Sequence, residues 1–297
     1  MKKAKYLTPV ITAFNKEREI DIKGNKEIWE HLINGGVDGI VLLGSTGEFF
    51  NMSMLQKKEL IKVAIEHINK RIPLFVGTGS MNIEETIELS NYALNLGADG
   101  VMIIGPYYFP VNDRDLENFY SKLAININGD IYLYNFPKMT GHDINPKVLL
   151  NLLEKHQNII GYKDTVSEMS HTRNLIQAIK DKYPNFIIYS GYDDNFVHNI
   201  LSGGNGCIGA LSNLYPQIFK QWVDTINNKD IVNIEKFQKL IDSVMEIYDV
   251  ETPFIPVLKK ALILNGIKIE EYCTEPFGVI SEVQISKLKK ILEKISK

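Results

Sequence analysis

Eight short apolar runs, separated by amphipathic stretches, set the strongest constraint on what this chain can fold into. They are LTPVITA from Leu7, GIVLLG from Gly39, IPLFVG from Ile72, GVMIIG from Gly100, DIYLYN from Asp130, NIIGYK from Asn158, NFIIYS from Asn185 and GCIGAL from Gly206. Their apolar residues are consecutive rather than alternating. That is the mark of strands buried on both faces, as in a parallel sheet. The intervening stretches have helical periodicity. In Ser53 to Ile68, residues Leu55, Leu60, Ile61, Ala64, Ile65 and Ile68 form one apolar stripe, Lys57, Lys58, Lys62 and Glu66 face away, and Ser53 is placed to cap. Asn82 to Leu96 repeats the design, with Asn82 as cap and Gly97 as stop. Gly36-Val37-Asp38-Gly39 and Gly97-Ala98-Asp99-Gly100 lead into two of the runs in the same way, an internal echo that fits a βα repeat.

Eight βα units in roughly 230 residues predict a (β/α)8 TIM barrel over residues 1–228. The alternative, an open doubly wound sheet, usually has fewer strands and needs a switch point that the sequence does not display. Residues 229–297 hold no strand run. They read as a helical region packed on the barrel, with helices over Phe237–Ile247, Phe254–Leu264 and Ile285–Ile295 and no flexible linker before them.

Composition narrows the function classes. Of 297 residues, 44% are hydrophobic and 23% charged, and 33 Lys and Arg face 36 Asp and Glu for a formal charge of −3. Nothing there favours nucleic acid or an anionic membrane as partner. Cys207 and Cys273 lie far apart with no CxxC, which argues against a disulfide framework and a structural zinc. The histidines show no H-x-x-x-H pair, and among them only His142 lies in a loop that could reach a barrel mouth. No signal h-region or bilayer-length apolar run is present, so a cytoplasmic protein is expected. Gly204-Asn205-Gly206-Cys207-Ile208-Gly209 matches G-x-G-x-x-G but precedes a strand instead of following one, and G-x-S-x-G is lacking.

In a barrel the reactive groups sit where strands end. Those ends supply Gly44-Ser45-Thr46-Gly47-Glu48, Pro106-Tyr107-Tyr108, Tyr134-Asn135-Phe136-Pro137, Lys163-Asp164-Thr165 and Gly191-Tyr192-Asp193-Asp194. A lysine after a strand is ordinarily solvated. Held at a barrel floor, Lys163 loses hydration, which favours the neutral amine that attacks carbonyls. Tyr134, at the end of the preceding strand, is a phenol able to carry protons beside it. The Gly44–Gly47 turn offers hydroxyls and backbone N–H groups suited to a carboxylate, although a tight βα turn needs the same residues. Asp193 and Asp194 can accept hydrogen bonds from hydroxyls, or serve as a cap and a first-turn acid.

Together these strand-end residues resemble the dihydrodipicolinate synthase / N-acetylneuraminate lyase family. Gly44-Ser45-Thr46-Gly47-Glu48 is similar to its G-[ST]-T-G-E, Tyr134-Asn135-x-Pro137 to its Y-N-x-P, and Gly161-x-Lys163 to its G-x-K. The resemblance implies a class I pyruvate aldolase or lyase on a (β/α)8 barrel, a homotetramer needing neither metal nor organic cofactor. It implies catalytic roles for Lys163, Tyr134, Ser45 and Tyr108, the last often reaching into a neighbouring subunit. It implies substrate binding by Thr46, Gly191, Asp193, Asp194 and Ile208. Within the family, Tyr134-Asn135-Phe136-Pro137-x-x-Thr140-Gly141-x-Asp143 and Lys163-Asp164-Thr165 resemble the 2-keto-3-deoxy-sugar-acid aldolases. Met139 stands where the synthases typically carry an arginine for a charged substrate end. The expected reaction is therefore cleavage of a 2-keto-3-deoxy sugar acid, 2-keto-3-deoxygluconate or -pentonate, a small keto acid with a pyruvate half and an aldehyde half. The rivals are dihydrodipicolinate synthesis, sialic acid cleavage and a non-catalytic keto-acid-binding barrel.

Overall fold

The computed structural model describes residues 3–295. Each apolar run overlaps a strand, β1 starting two residues before its run and β6 ending one residue after: β1 (Lys5–Pro9), β2 (Ile40–Leu42), β3 (Leu74–Gly77), β4 (Gly100–Ile104), β5 (Ile131–Asn135), β6 (Ile159–Asp164), β7 (Ile187–Ser190) and β8 (Gly206–Ile208). They close in chain order into a barrel, and the pairs from β3 through β8 are parallel, as is β1 with β2. The fold is the predicted (β/α)8 TIM barrel.

By compactness the described residues form two units. One comprises Pro73–Ile208 with the chain up to Lys5, the other Tyr6–Ile72 with the chain from Gly209. This division follows a different line from the 228/229 boundary. The first unit carries β3 to β8 and the helices Ile83–Leu96, Asp113–Asn126, Pro146–Lys155 and Met169–Lys180, over a core that includes Val76, Val101, Ile103, Leu133, Tyr162 and Ile188. The second is built on Trp29, Phe14, Phe219, Trp222 and Leu258, all fully or nearly fully buried, and Tyr6 packs on Phe219 with ring centres 4.6 Å apart.

The internal echo has a physical basis. Gly36 and Gly97 both end a helix in the left-handed region, at φ 81° and 111°. The aspartate two residues on then ties down the preceding strand. Asp38 Oδ2 accepts from Tyr6 N at 2.8 Å, and Asp99 Oδ2 accepts from Leu74 N at 2.8 Å. Each aspartate N–H returns a bond to the same residue's carbonyl. One side chain thereby satisfies a backbone donor that the start of a strand leaves over.

Helix Met54–Ile68 starts with Ser53 as cap, in a reciprocal capping box with Gln56. Two details depart from its predicted stripe. Leu55 is exposed, and Lys57 is buried, its Nζ 5.7 Å from the centre of the Phe49 ring. The long lysine stem covers the aromatic side chain, which a purely polar reading of lysine overlooks. After residue 229 the helices are Ile231–Val244, Ile255–Leu264 and Glu282–Leu292. The first begins earlier than predicted because Asp230 caps it, accepting from Asn233 N, while Ile231 and Val232 remain exposed and add nothing to an apolar stripe. The last begins three residues early, on a Ser281/Gln284 capping box. No helix among the described residues is long and apolar enough to cross a membrane.

Candidate active site

Tyr134 and Lys163 are register partners on β5 and β6. Lys163 Nζ lies 4.3 Å from the centre of the Tyr134 ring, and both residues are only 6% exposed. The strands approach closely there because Gly161 lies opposite Tyr132. A Cβ at 161 would come within 2.1 Å of the Tyr132 ring, so the glycine of G-x-K is a packing requirement two residues before the amine. Phe136 stacks near Tyr134 at 6.1 Å between ring centres.

The residues adjoining this pair are strapped together by a partly buried polar network. Asn135 Nδ2 donates to Asp143 Oδ1 at 2.7 Å and to Asp164 Oδ1 at 3.0 Å. Its Oδ1 accepts from Ile144 N. Asp164, with no exposed surface, also accepts from Thr172 Oγ1 at 2.6 Å. His171 bridges the two carboxylates, with Nδ1 2.9 Å from Asp164 and Nε2 3.1 Å from Asp143. Hydrogen bonds to Asp143 and then Asp164 raise the His171 pKa to about 10, so the ring is an imidazolium at neutral pH. Burial works against the Asp143 carboxylate, but the hydrogen bond and charge of His171 outweigh it and hold the group below its ordinary range. The sequence reading gave His171 no role. Its two partners come from separate segments, and the only signal was an aspartate directly after Lys163 seven residues upstream.

This arrangement predicts a pH-dependent stability. His171 titrates near 6.5 when unfolded and near 10 when folded, so its contribution is complete below about 6.5 and is lost as pH rises through about 10. His171→Asn is expected to cost about 2 kcal/mol at pH 7, because two carboxylates lose their shared donor. The gap between wild type and variant should shrink from pH 7 to pH 10. Urea unfolding midpoints across that range measure it, and a gap constant with pH would exclude the ion-bridge account.

The remaining candidates take distinct places. Gly191, after β7, donates its N–H to Asp164 O at 2.7 Å. A Cβ there would come within 2.0 Å of Thr165 Oγ1, a buried hydroxyl with no hydrogen-bond partner among the described residues. Asp193 and Asp194 open a single 3-10 turn, Asp193–Asn195, for which Tyr192 rather than either acid is the cap residue. Asp193 is 1% exposed and Asp194 half-buried. Burial, then the nearby Tyr134, Asp194 and Glu168, push the Tyr192 phenol up. Ile208 ends β8 with its side chain buried. Tyr108 is 78% exposed, edge-on to Phe109. Met139 is exposed in the short helix Pro137–Thr140. His142 is half-buried, and its Nδ1 accepts from Val111 N at 3.4 Å.

In the second unit, Ser45–Gly47 forms a 3-10 turn directly after β2, with Thr46 buried. Leu43 and Glu48, which bracket the turn, both have left-handed backbones, φ 55° and 60°. Non-glycine residues there cost on the order of 1–2 kcal/mol each, a strain that surrounding contacts must offset. Among the described residues, no three His, Cys, Asp or Glu side chains are grouped to hold a metal.

A buried amine against a phenol, on adjacent strand ends, is an arrangement that can supply a nucleophile beside a proton carrier. A profile of the dihydrodipicolinate synthetase family matches residues 2–295. The chain is 34% identical over 289 residues to the Escherichia coli K12 protein named "Putative 2-dehydro-3-deoxy-D-gluconate aldolase YagE", covering 97% of this chain and 96% of that one. The crystal structure of YagE in complex with pyruvate superposes with a TM-score of 0.96 at 33% identity, over 100% of this chain and 99% of that one. Identity is likewise 34% to the E. coli "Probable 2-dehydro-3-deoxy-D-pentonate aldolase YjhH", over 96% of this chain and 95% of the relative. It is 33% to the 4-hydroxy-tetrahydrodipicolinate synthase of Clostridium novyi, over 97% and 95%.

Proposed function

The chain belongs to the dihydrodipicolinate synthetase family and is a lyase, and from that premise we propose that it cleaves a 2-keto-3-deoxy sugar acid through a Schiff base on Lys163. The observation that carries this reading is Lys163 Nζ 4.3 Å from the Tyr134 ring centre, both side chains buried. Lys163 adds to the C2 ketone. The carbinolamine oxygen takes a proton from Tyr134 and departs as water, leaving an iminium. The Tyr134 phenolate then accepts the C4 hydroxyl proton, the C3–C4 pair flows into the iminium, and the aldehyde leaves. Tyr134 returns that proton to C3 of the enamine, and water hydrolyses the iminium to release pyruvate and Lys163. In this reading Ser45 and Thr46 take the substrate carboxylate, and Ser45 and Tyr108 complete the proton relay with Tyr134. Gly191, Asp193, Asp194 and Ile208 serve the rest of the substrate, and the working form is a homotetramer.

The sugar-acid assignment rests on Met139 and the Asp193-Asp194 pair. A substrate ending in a carboxylate or amino acid needs a cation, and Met139 supplies none where the synthases carry arginine. A polyol tail instead donates hydroxyls to an acid, and such charge-assisted bonds contribute about 1.5–3 kcal/mol each. The 33% identity to a 4-hydroxy-tetrahydrodipicolinate synthase favours the second reading, condensation of pyruvate with aspartate semialdehyde. A panel of 2-keto-3-deoxy acids scored for pyruvate release, beside that condensation, decides between them. We expect higher kcat/KM for 2-keto-3-deoxygluconate or -pentonate. Asp193→Ala or Asp194→Ala should lower that value about 10–100-fold while pyruvate still forms its iminium. A better kcat/KM for aspartate semialdehyde would assign the chain to the synthases.

A further inference from the structure

Glu48 and Lys259 have no part in the mechanism above, yet both side chains are completely buried and their charged ends stand 2.6 Å apart. Glu48 immediately follows the Ser45–Gly47 turn, and Lys259 lies in the helix Ile255–Leu264, more than two hundred residues away in sequence. Both belong to the second unit. The carboxylate is fully engaged: its Oε2 accepts from Thr274 N at 2.7 Å and Thr274 Oγ1 at 2.8 Å. Lys259 Nζ also donates to Tyr272 O at 2.7 Å and lies 4.7 Å from the centre of the Phe14 ring.

A buried ion pair is weak evidence for stability, because desolvating two charges consumes most of the attraction between them. What it supplies is a fixed position, and here the position is a strained one. Glu48 has φ 60°, Leu43 has φ 55°, and between them run Gly44, Ser45, Thr46 and Gly47. The turn's own bonds are Gly47 N to Gly44 O and Glu48 N to Ser45 O. Its outer hold is Thr12 Oγ1 donating to Gly47 O at 2.8 Å. The Glu48 side chain connects the strained end of the turn to a distant part of the chain by charge. Left-handed non-glycine residues persist where surrounding structure over-determines them.

We propose that Glu48 and Lys259 are positioning residues: their buried ion pair locks the Gly44–Gly47 turn in the conformation that receives the keto-acid carboxylate, and so sets the affinity for the pyruvate moiety. The proposal rests on the reading of Ser45 and Thr46 as the carboxylate seat. It assigns to the helix Ile255–Leu264 a task in substrate binding.

Glu48→Gln keeps the shape of the side chain and removes its charge. Lys259→Met leaves a lone buried carboxylate and is a poor test alone, so it is combined as Glu48→Gln/Lys259→Met, which leaves no uncompensated charge. Two measurements on the full-length protein follow. In borohydride trapping, the pyruvate concentration for half-maximal labelling of Lys163 should rise about tenfold or more in both variants, with the saturated rate within about threefold of wild type. In ligand-free protein, amides of residues 44–51 should exchange at least about tenfold faster in the variants. A folded double variant with wild-type half-saturation and wild-type exchange overturns the proposal. A wild-type protein that pyruvate does not label overturns the aldolase reading instead. Amide exchange then decides the positioning role by itself: faster exchange supports it, and unchanged exchange rejects it.

Discussion

Borohydride reduction in the presence of pyruvate is expected to inactivate the enzyme and leave one pyruvate-derived group, on Lys163. Lys163→Ala is expected to lower kcat by about 10⁴-fold or more, at or beyond the upper range for losing a proton-transfer group, because the covalent route itself disappears. The site of labelling follows from what surrounds each buried lysine. Among the described residues three are buried: Lys57, Lys163 and Lys259. Lys57 lies in the first turn of a helix, not on a strand, with its Nζ over the Phe49 ring. Lys259 is committed to Glu48 and the Tyr272 carbonyl, and an amine tied to a carboxylate has no lone pair to offer. Lys163 alone has a phenol at its side and sits at a strand end, where barrel chemistry is found. Peptide mapping of the reduced adduct checks this. A label at another lysine, or activity that depends on a chelatable metal, would sink the Schiff-base mechanism.

How far this site could be read from sequence depends on whether its parts are local. The strands were legible because burial on both faces writes a continuous apolar run, and each of the eight runs overlaps its strand. Lys163 and Tyr134 were legible because each stands at the end of such a run, and barrel topology makes β5 and β6 neighbours. His171 was not. It lies near the start of the helix Met169–Lys180, and its value comes from Asp143 and Asp164, which two different loops and strands deliver to it. Lys259 was hidden for a related reason. A lysine in a helix reads as solvated, although IPVLKKALIL leaves almost no polar face, and Ile255, Val257, Leu258, Ala261 and Leu262 are buried around it. Its partner Glu48 stood within a recognised motif but had no role there, because only the fold reveals that its carboxylate is inaccessible. Long-range polar pairs leave no periodic trace, whereas apolar faces do.

Replacing Tyr134 by phenylalanine should separate the two halves of the reaction. The ring remains, so its contact with Lys163 and its stacking near Phe136 persist, and only the proton carrier goes. Borohydride trapping of pyruvate should therefore still label Lys163, more slowly because the carbinolamine loses the proton donor assigned to it. Steady-state cleavage should fall about 10²–10⁴-fold, the usual worth of a general acid–base group. The neighbouring phenol is a poor substitute. Tyr192 is half-buried, and burial together with Tyr134, Asp194 and Glu168 makes its anion harder to form. Removing the Tyr134 oxygen relieves part of that effect but leaves burial, the largest cause, in place. Single-turnover trapping beside steady-state pyruvate release measures both halves on one preparation. A loss in turnover below about tenfold would mean that another group carries the C4 proton. Equal losses in trapping and turnover would instead place Tyr134 in carbonyl capture alone.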